Sequence, residues 1–107
     1  MTAGPFTPTL KMAANAKRGL KLRAKFGRGG TAVGVRCAHQ LSERRPVSAT
    51  DVKSMASYFA RHKVDKDGKA HHWNSDEDPS AGFIAWLLWG GEEGRKWADA
   101  KRKSLAI

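Results

Sequence analysis

Apolar residues near the start of the chain fall at helical intervals. Leu10, Ala13, Lys17, Leu20 and Ala24 recur at spacings of three and four, and Met12, Ala16, Gly19 and Phe26 widen the same side. This pattern predicts an amphipathic helix over about 10–26. Thr7 is placed to cap it, with Pro8 at the first helical position, and Gly27, Gly29 and Gly30 end it. Thr31 can cap a second helix reaching about Leu41, with Val33, Gly34, Cys37, Ala38 and Leu41 inward. Ser48 to Asp51 forms a capping box with Asp in place of Glu. It opens a third helix, about 49–62, whose apolar stripe is Val52, Met55, Ala56, Phe59 and Ala60.

A cap-and-proline pair recurs at Asp78-Pro79, ahead of Phe83 to Trp89, which is apolar on all sides. Such a segment predicts a central core helix. Gly90-Gly91 breaks it, and a last helix follows over about 92–105. Glu92 and Glu93 stand at its positive end and Lys101, Arg102 and Lys103 at its negative end, as the macrodipole favours. No stretch alternates with period two for long enough to be a strand. The expected fold class is all-α: a single small domain, residues 8–107, of four or five short helices around a Trp-rich central helix. Residues 1–7 are expected to form a flexible arm. Residues 64–78 read as a long polar loop carrying His71-His72-Trp73.

Charge changes the picture most. The first acidic residue is Glu43, and eight Lys and Arg precede it. The remainder of the chain carries twelve basic and ten acidic residues, so nearly all of the +10 net charge lies in the first two-fifths. One-sided charge costs folding free energy through self-repulsion and points to a polyanionic partner. The expected phosphate contacts are Lys17, Arg18, Lys21, Arg23, Lys25 and Arg28, with Arg44 and Arg45 in support. The Gly-rich run 27–30 would let backbone amides approach a phosphate. A basic helix also suits an anionic membrane surface, but its Ala- and Gly-rich apolar side would insert weakly.

Other constellations give less. The second and third helices could form a helix-turn-helix, but the turn is long and Asp51 would stand at the reading end. Plain antiparallel packing of the two is the expectation. Cys37, His39, His62, His71 and His72 lack the ligand spacings of a zinc site. Asp65-Lys-Asp67-Gly68 lacks the closing Glu of a calcium loop. No cofactor and no metal is therefore expected. Tyr58, Arg61 and His62 end the third helix as a structural network or a contact point. Trp73 would cover the core edge, stack on a base or anchor a protein. Trp86, Trp89 and Trp97 read as core.

Four blocks carry a resemblance: Ala16-Lys-Arg-Gly-Leu20, Lys25-Phe-Gly-Arg-Gly-Gly-Thr31, Met55-Ala-Ser-Tyr-Phe-Ala-Arg-His62 and Pro79-Ser-Ala-Gly-Phe-Ile-Ala-Trp-Leu-Leu-Trp-Gly-Gly91. With them the chain resembles, over about residues 14–99, a small basic all-α module recurrent in tailed-phage genomes. That group has no established activity, so the resemblance implies phage context and no catalytic residues.

The reading that follows is a small, basic, non-enzymatic nucleic-acid-binding protein that holds phosphates with low sequence specificity. DNA is favoured over RNA as partner, and a homodimer is compatible with the small contact area. With about six phosphates neutralised, log affinity should fall with log salt at a slope of roughly −5. One alternative is a protein-interaction module, either a virion or assembly adaptor or an inhibitor of an acidic host protein. The other is a metal-dependent nuclease built around His62, His71 and His72. The single cysteine, the short apolar runs and the absence of a leader pattern predict a soluble, cytoplasmic protein, with the virion as a second location.

Overall fold

The computed structural model describes residues 6–62 and 77–105. Five helices make up the fold: α1 (Leu10–Phe26), α2 (Ala32–Ser42), α3 (Ala49–His62), α4 (Ala81–Leu88) and α5 (Gly91–Leu105). The class is all-α, as the periodicity predicts. Phe6 and Val47 form an isolated antiparallel bridge.

Two of the predicted caps move by two residues, for the same reason. Pro8 and Pro79 are fully buried, and each stands just ahead of the residue that caps. Thr9 has extended backbone and accepts from Met12 N at 3.2 Å. Ser80 does the same for Phe83 N at 2.9 Å. Thr7 therefore does not cap α1, and Asp78 does not cap α4, because its carboxylate is taken by Arg28 Nη2 at 3.0 Å. Ser48 accepts from Asp51 N at 3.1 Å, as its capping pattern predicts.

The buried line of α1 is Met12, Ala13, Ala16, Gly19 and Leu22. Of the series led by Leu10, Ala13 lies in that line, and the others lie at or beyond its border. Leu10 is 72% exposed, and Lys17 and Ala24 are exposed as well. Val33 of α2 is likewise outside the core, at 52% exposure.

Short α4 is the centre of the molecule and packs against all four other helices. Ile84 and Leu88 have no exposed surface, and Phe83, Trp86 and Leu87 have almost none. Trp86 meets Phe59 edge-on at 4.8 Å, and Trp89, just past the helix, lies flat on Tyr58 at 4.7 Å. Trp97 is half-buried at the periphery and takes Phe6 edge-on at 6.4 Å. Phe6 was expected in the loose arm, yet its carbonyl also accepts from Val47 N at 2.7 Å.

Around α4, the sequential neighbours α2 and α3 do not pack on each other: no Cα pair between them comes within 8 Å. Instead α2 packs on α1 and α4, while α3 packs mainly on α5. Both the helix-turn-helix and the plain antiparallel pair expected for α2 and α3 are overturned. The turn from Glu43 to Ser48 leads from α2, packed on α1 and α4, to α3, packed mainly on α5.

Candidate nucleic-acid interface

An α-helix advances about 100° per residue. On α1 this places Lys11, Lys17, Arg18, Lys21 and Lys25 within an arc of about 120°, opposite the buried line. All four lysines are exposed and Arg18 is half-exposed. Among the described residues, none of Lys11, Lys17, Lys21 and Lys25 makes an ion pair. Lys17, Lys21 and Lys25 follow at four-residue spacing, and Arg18 lies three before Lys21. Each like-charged pair at these spacings costs about 0.2–0.5 kcal/mol of helix stability. Arg18 also rests its guanidinium over Phe83 at 5.0 Å, which holds it against α4.

The other predicted phosphate contacts are engaged elsewhere. Arg23 points away from the stripe, and its Nε donates to Gly29 O at 2.9 Å. Arg28 is half-buried, pairs with Asp78 and stacks over Phe26 at 5.2 Å. It therefore fastens the loop after α1 to the segment leading into α4. Arg44 adopts a positive φ of 53° and donates from Nε to Pro8 O at 2.9 Å. That places it beside the start of α1, a helix length of about 25 Å from Arg28. Arg45 pairs with Glu43 at 3.3 Å on the surface.

The Gly-rich loop also has a structural task. Gly29 and Gly30 have φ of 98° and 76°, and a Cβ on them would stand 2.6 Å from Ile84 and 2.5 Å from Leu88. Their lack of side chains lets the loop lie directly on α4.

A second polar feature was missed by the sequence reading. A groove of about 850 Å³ opens between the α2 start, α3 and α4, and Thr31, Lys53, Ser57, Arg61 and His62 are among its walls. The available signal was the four-residue spacing of Lys53, Ser57 and Arg61 opposite the apolar stripe of α3. His62 stacks on Tyr58 at 4.5 Å, so His62, Tyr58 and Trp89 form one stack of rings. Tyr58 and His62 thus pair at the core edge, and Arg61 joins them only as a residue of the groove wall. Trp73, His71 and His72 lie outside the described residues, as does the expected loop up to residue 76.

Cys37 packs against the core from α2. Burial pushes its thiol up to about 12, reinforced by the Asp51 carboxylate and opposed by Arg36. A thiol so held is protonated and unreactive at neutral pH. Among the described residues, no three His, Cys, Asp or Glu side chains converge on a common point, and no helix is long and apolar enough to cross a membrane.

The site is therefore a cationic ridge along the outer face of α1, whose four lysines make no ion pair among the described residues. No family model, curated protein or solved structure matches this chain.

Proposed function

We infer that this protein binds nucleic acid through its phosphates, along the outer face of α1. The observation that carries the reading is the line of Lys11, Lys17, Arg18, Lys21 and Lys25, held on a packed helix without a single carboxylate in its sequence. Self-repulsion along that face is a standing cost, and a polyanion laid on it converts the cost into attraction through counterion release. Phosphate contacts position a protein but do not read bases, so sequence specificity is low. DNA is the favoured partner. The phage setting and the cytoplasm of a host cell come from the sequence resemblance and composition alone.

Fluorescence anisotropy with labelled duplex and single-stranded DNA, titrated at several salt concentrations, tests the reading. With about five phosphates neutralised, log affinity falls against log salt with a slope of roughly −4 to −5. A flat salt response, or no binding at low salt, would overturn it.

A further inference from the structure

We propose that Leu10, at the start of α1, is a wedge that enters between two base pairs of a duplex laid on the α1 ridge, so that the protein bends the DNA it binds. This rests on the nucleic-acid reading of α1 and gives it a mechanical consequence.

Leu10 is the most exposed large apolar side chain among the described residues, at 72%. A lone exposed leucine is ordinary; this one is set apart by its position. Lys17 follows it by seven residues and Lys21 by eleven. At about 100° per residue, both therefore stand within about 20° of it around the helix. Along the axis they lie about 10 and 16 Å further on. Leu10 is thus in line with the cations, at the N-terminal end of the ridge. A duplex that follows these lysines along the helix meets Leu10 as well.

The residue stands on a fixed base. Pro8, two positions earlier, is fully buried, and its carbonyl accepts from Arg44 Nε at 2.9 Å. Thr9 caps the helix through Met12 N, and the Phe6 carbonyl is held by Val47 N. A side chain on such a base can push into a stack instead of giving way to it. Lys11 of α1 and Lys96 of α5 line the hollow beside Leu10. Both are exposed, and neither makes an ion pair among the described residues. Glu93, the acid of that hollow, accepts from Asn15 Nδ2 at 2.6 Å. Cations from two helices therefore flank the wedge.

Duplex DNA is the occupant this combination fits. Leucine is among the apolar side chains that part a base step from the minor groove, and the cost of unstacking is offset when the bend brings more of the duplex onto the protein. Here the surface that gains is the ridge. A membrane would attract the same lysines, but the exposed apolar neighbour of Leu10 on the ridge is the small Ala14, so a single leucine would anchor little in lipid.

The test is energy transfer between dyes at the two ends of a duplex of about 20 base pairs, with either a central TA step or a stiff A-tract. Saturating wild-type protein should raise the transfer, more with the TA step. It should also bind the TA duplex about tenfold more tightly than the A-tract. Leu10→Ser, at an exposed position, should keep the melting temperature and the salt slope, which counts phosphate contacts. It should return the transfer to that of free duplex and narrow the preference to within about twofold. Leu10→Met should keep the bend, since methionine also serves as a wedge. Transfer unchanged by wild-type protein, or raised equally by Leu10→Ser, overturns the wedge and leaves the α1 reading standing. If Leu10→Ser bends DNA as wild type does but no longer binds phosphatidylserine vesicles, the residue belongs to a lipid contact and the proposal also falls. Failure to bind either duplex at low salt removes both readings together.

Discussion

Helices α1 and α5 are both rich in basic residues, and they use them in opposite ways. On α5, Arg95 donates to Glu92 through Nε and Nη2, Arg102 reaches Asp99 at 3.3 Å and Lys103 reaches it at 3.2 Å. Each cation stands three or four residues after its acid, the spacing at which opposite charges stabilise a helix. The hydrogen bonds from Lys103 and Arg102 hold the Asp99 carboxyl below the usual carboxylate range, and the bond to Glu92 raises the Arg95 guanidinium. On α1 the same spacings join cation to cation. Positive residues alone therefore do not mark a binding face. A helix whose charges are already answered has little left for a partner, whereas one whose charges repel gains when a polyanion arrives.

The largest expected effect separates the two helices by affinity. Replacing Lys17, Lys21 and Lys25 together by Gln should weaken DNA binding about a hundredfold at low salt and flatten the salt slope by about three. Replacing Arg95, Arg102 and Lys103 by Gln should change affinity by less than about threefold. Equal losses from the two sets would show that only total charge matters, and the distinction between the helices would collapse.

The inner faces should respond alike, which confines the contrast to the outer ones. A Cβ at Gly19 of α1 would meet Leu87 Cβ and Leu88 N at 2.9 Å, and one at Gly94 of α5 would meet Trp89 O at 2.7 Å. Ala at either position gains up to about 1 kcal/mol of helix propensity but must displace backbone. Each substitution should therefore lower stability by about 1–3 kcal/mol in chemical denaturation.

Arg28 sharpens the comparison from within the basic half. Because it fastens Asp78 to the loop after α1, Arg28→Gln should cost about 1 kcal/mol of stability and leave the salt slope of binding unchanged within error. A slope that drops by about one would return Arg28 to the phosphate-binding set.

The smallest effect belongs to the paired face. The Asp99 carboxyl is more acidic in the folded chain than in the unfolded one, so its contribution is present above the ordinary carboxylate range and lost as pH falls through the depressed value. Asp99→Asn should lower the melting temperature slightly at neutral pH, and the difference should vanish at strongly acidic pH, once the carboxyl is protonated in both states. A difference that persists at that pH would assign the effect to packing.

Much of this was legible in the sequence. Helix spans, the central place of Phe83 to Trp89 and the one-sided charge were all readable, because each depends on residues within a few positions of one another. On α1 the inward Met12, Ala13, Ala16 and Gly19 were readable, but Leu10, Lys17 and Ala24 were placed with them and are exposed, because Ala and Gly are ambiguous on a helical wheel. Only packing in the core separates Ala16, which is buried, from Ala24, which is exposed. The caps were misplaced because Pro8 and Pro79 bury ahead of the helices, which burial reveals and sequence does not.

The sequence by itself therefore determined an all-α fold of four or five helices, their hydrophobic centre and a positive first half, since propensity, periodicity and net charge are local or additive quantities. Tertiary structure alone decided which cations remain available. Arg28 is answered by Asp78, fifty positions away, and Arg44 by the carbonyl of Pro8, thirty-six away. It also kept α2 and α3 out of contact with each other and so opened the groove whose walls they share. Both outcomes depend on the pairing of distant segments around α4, where burying apolar surface outweighs proximity along the chain.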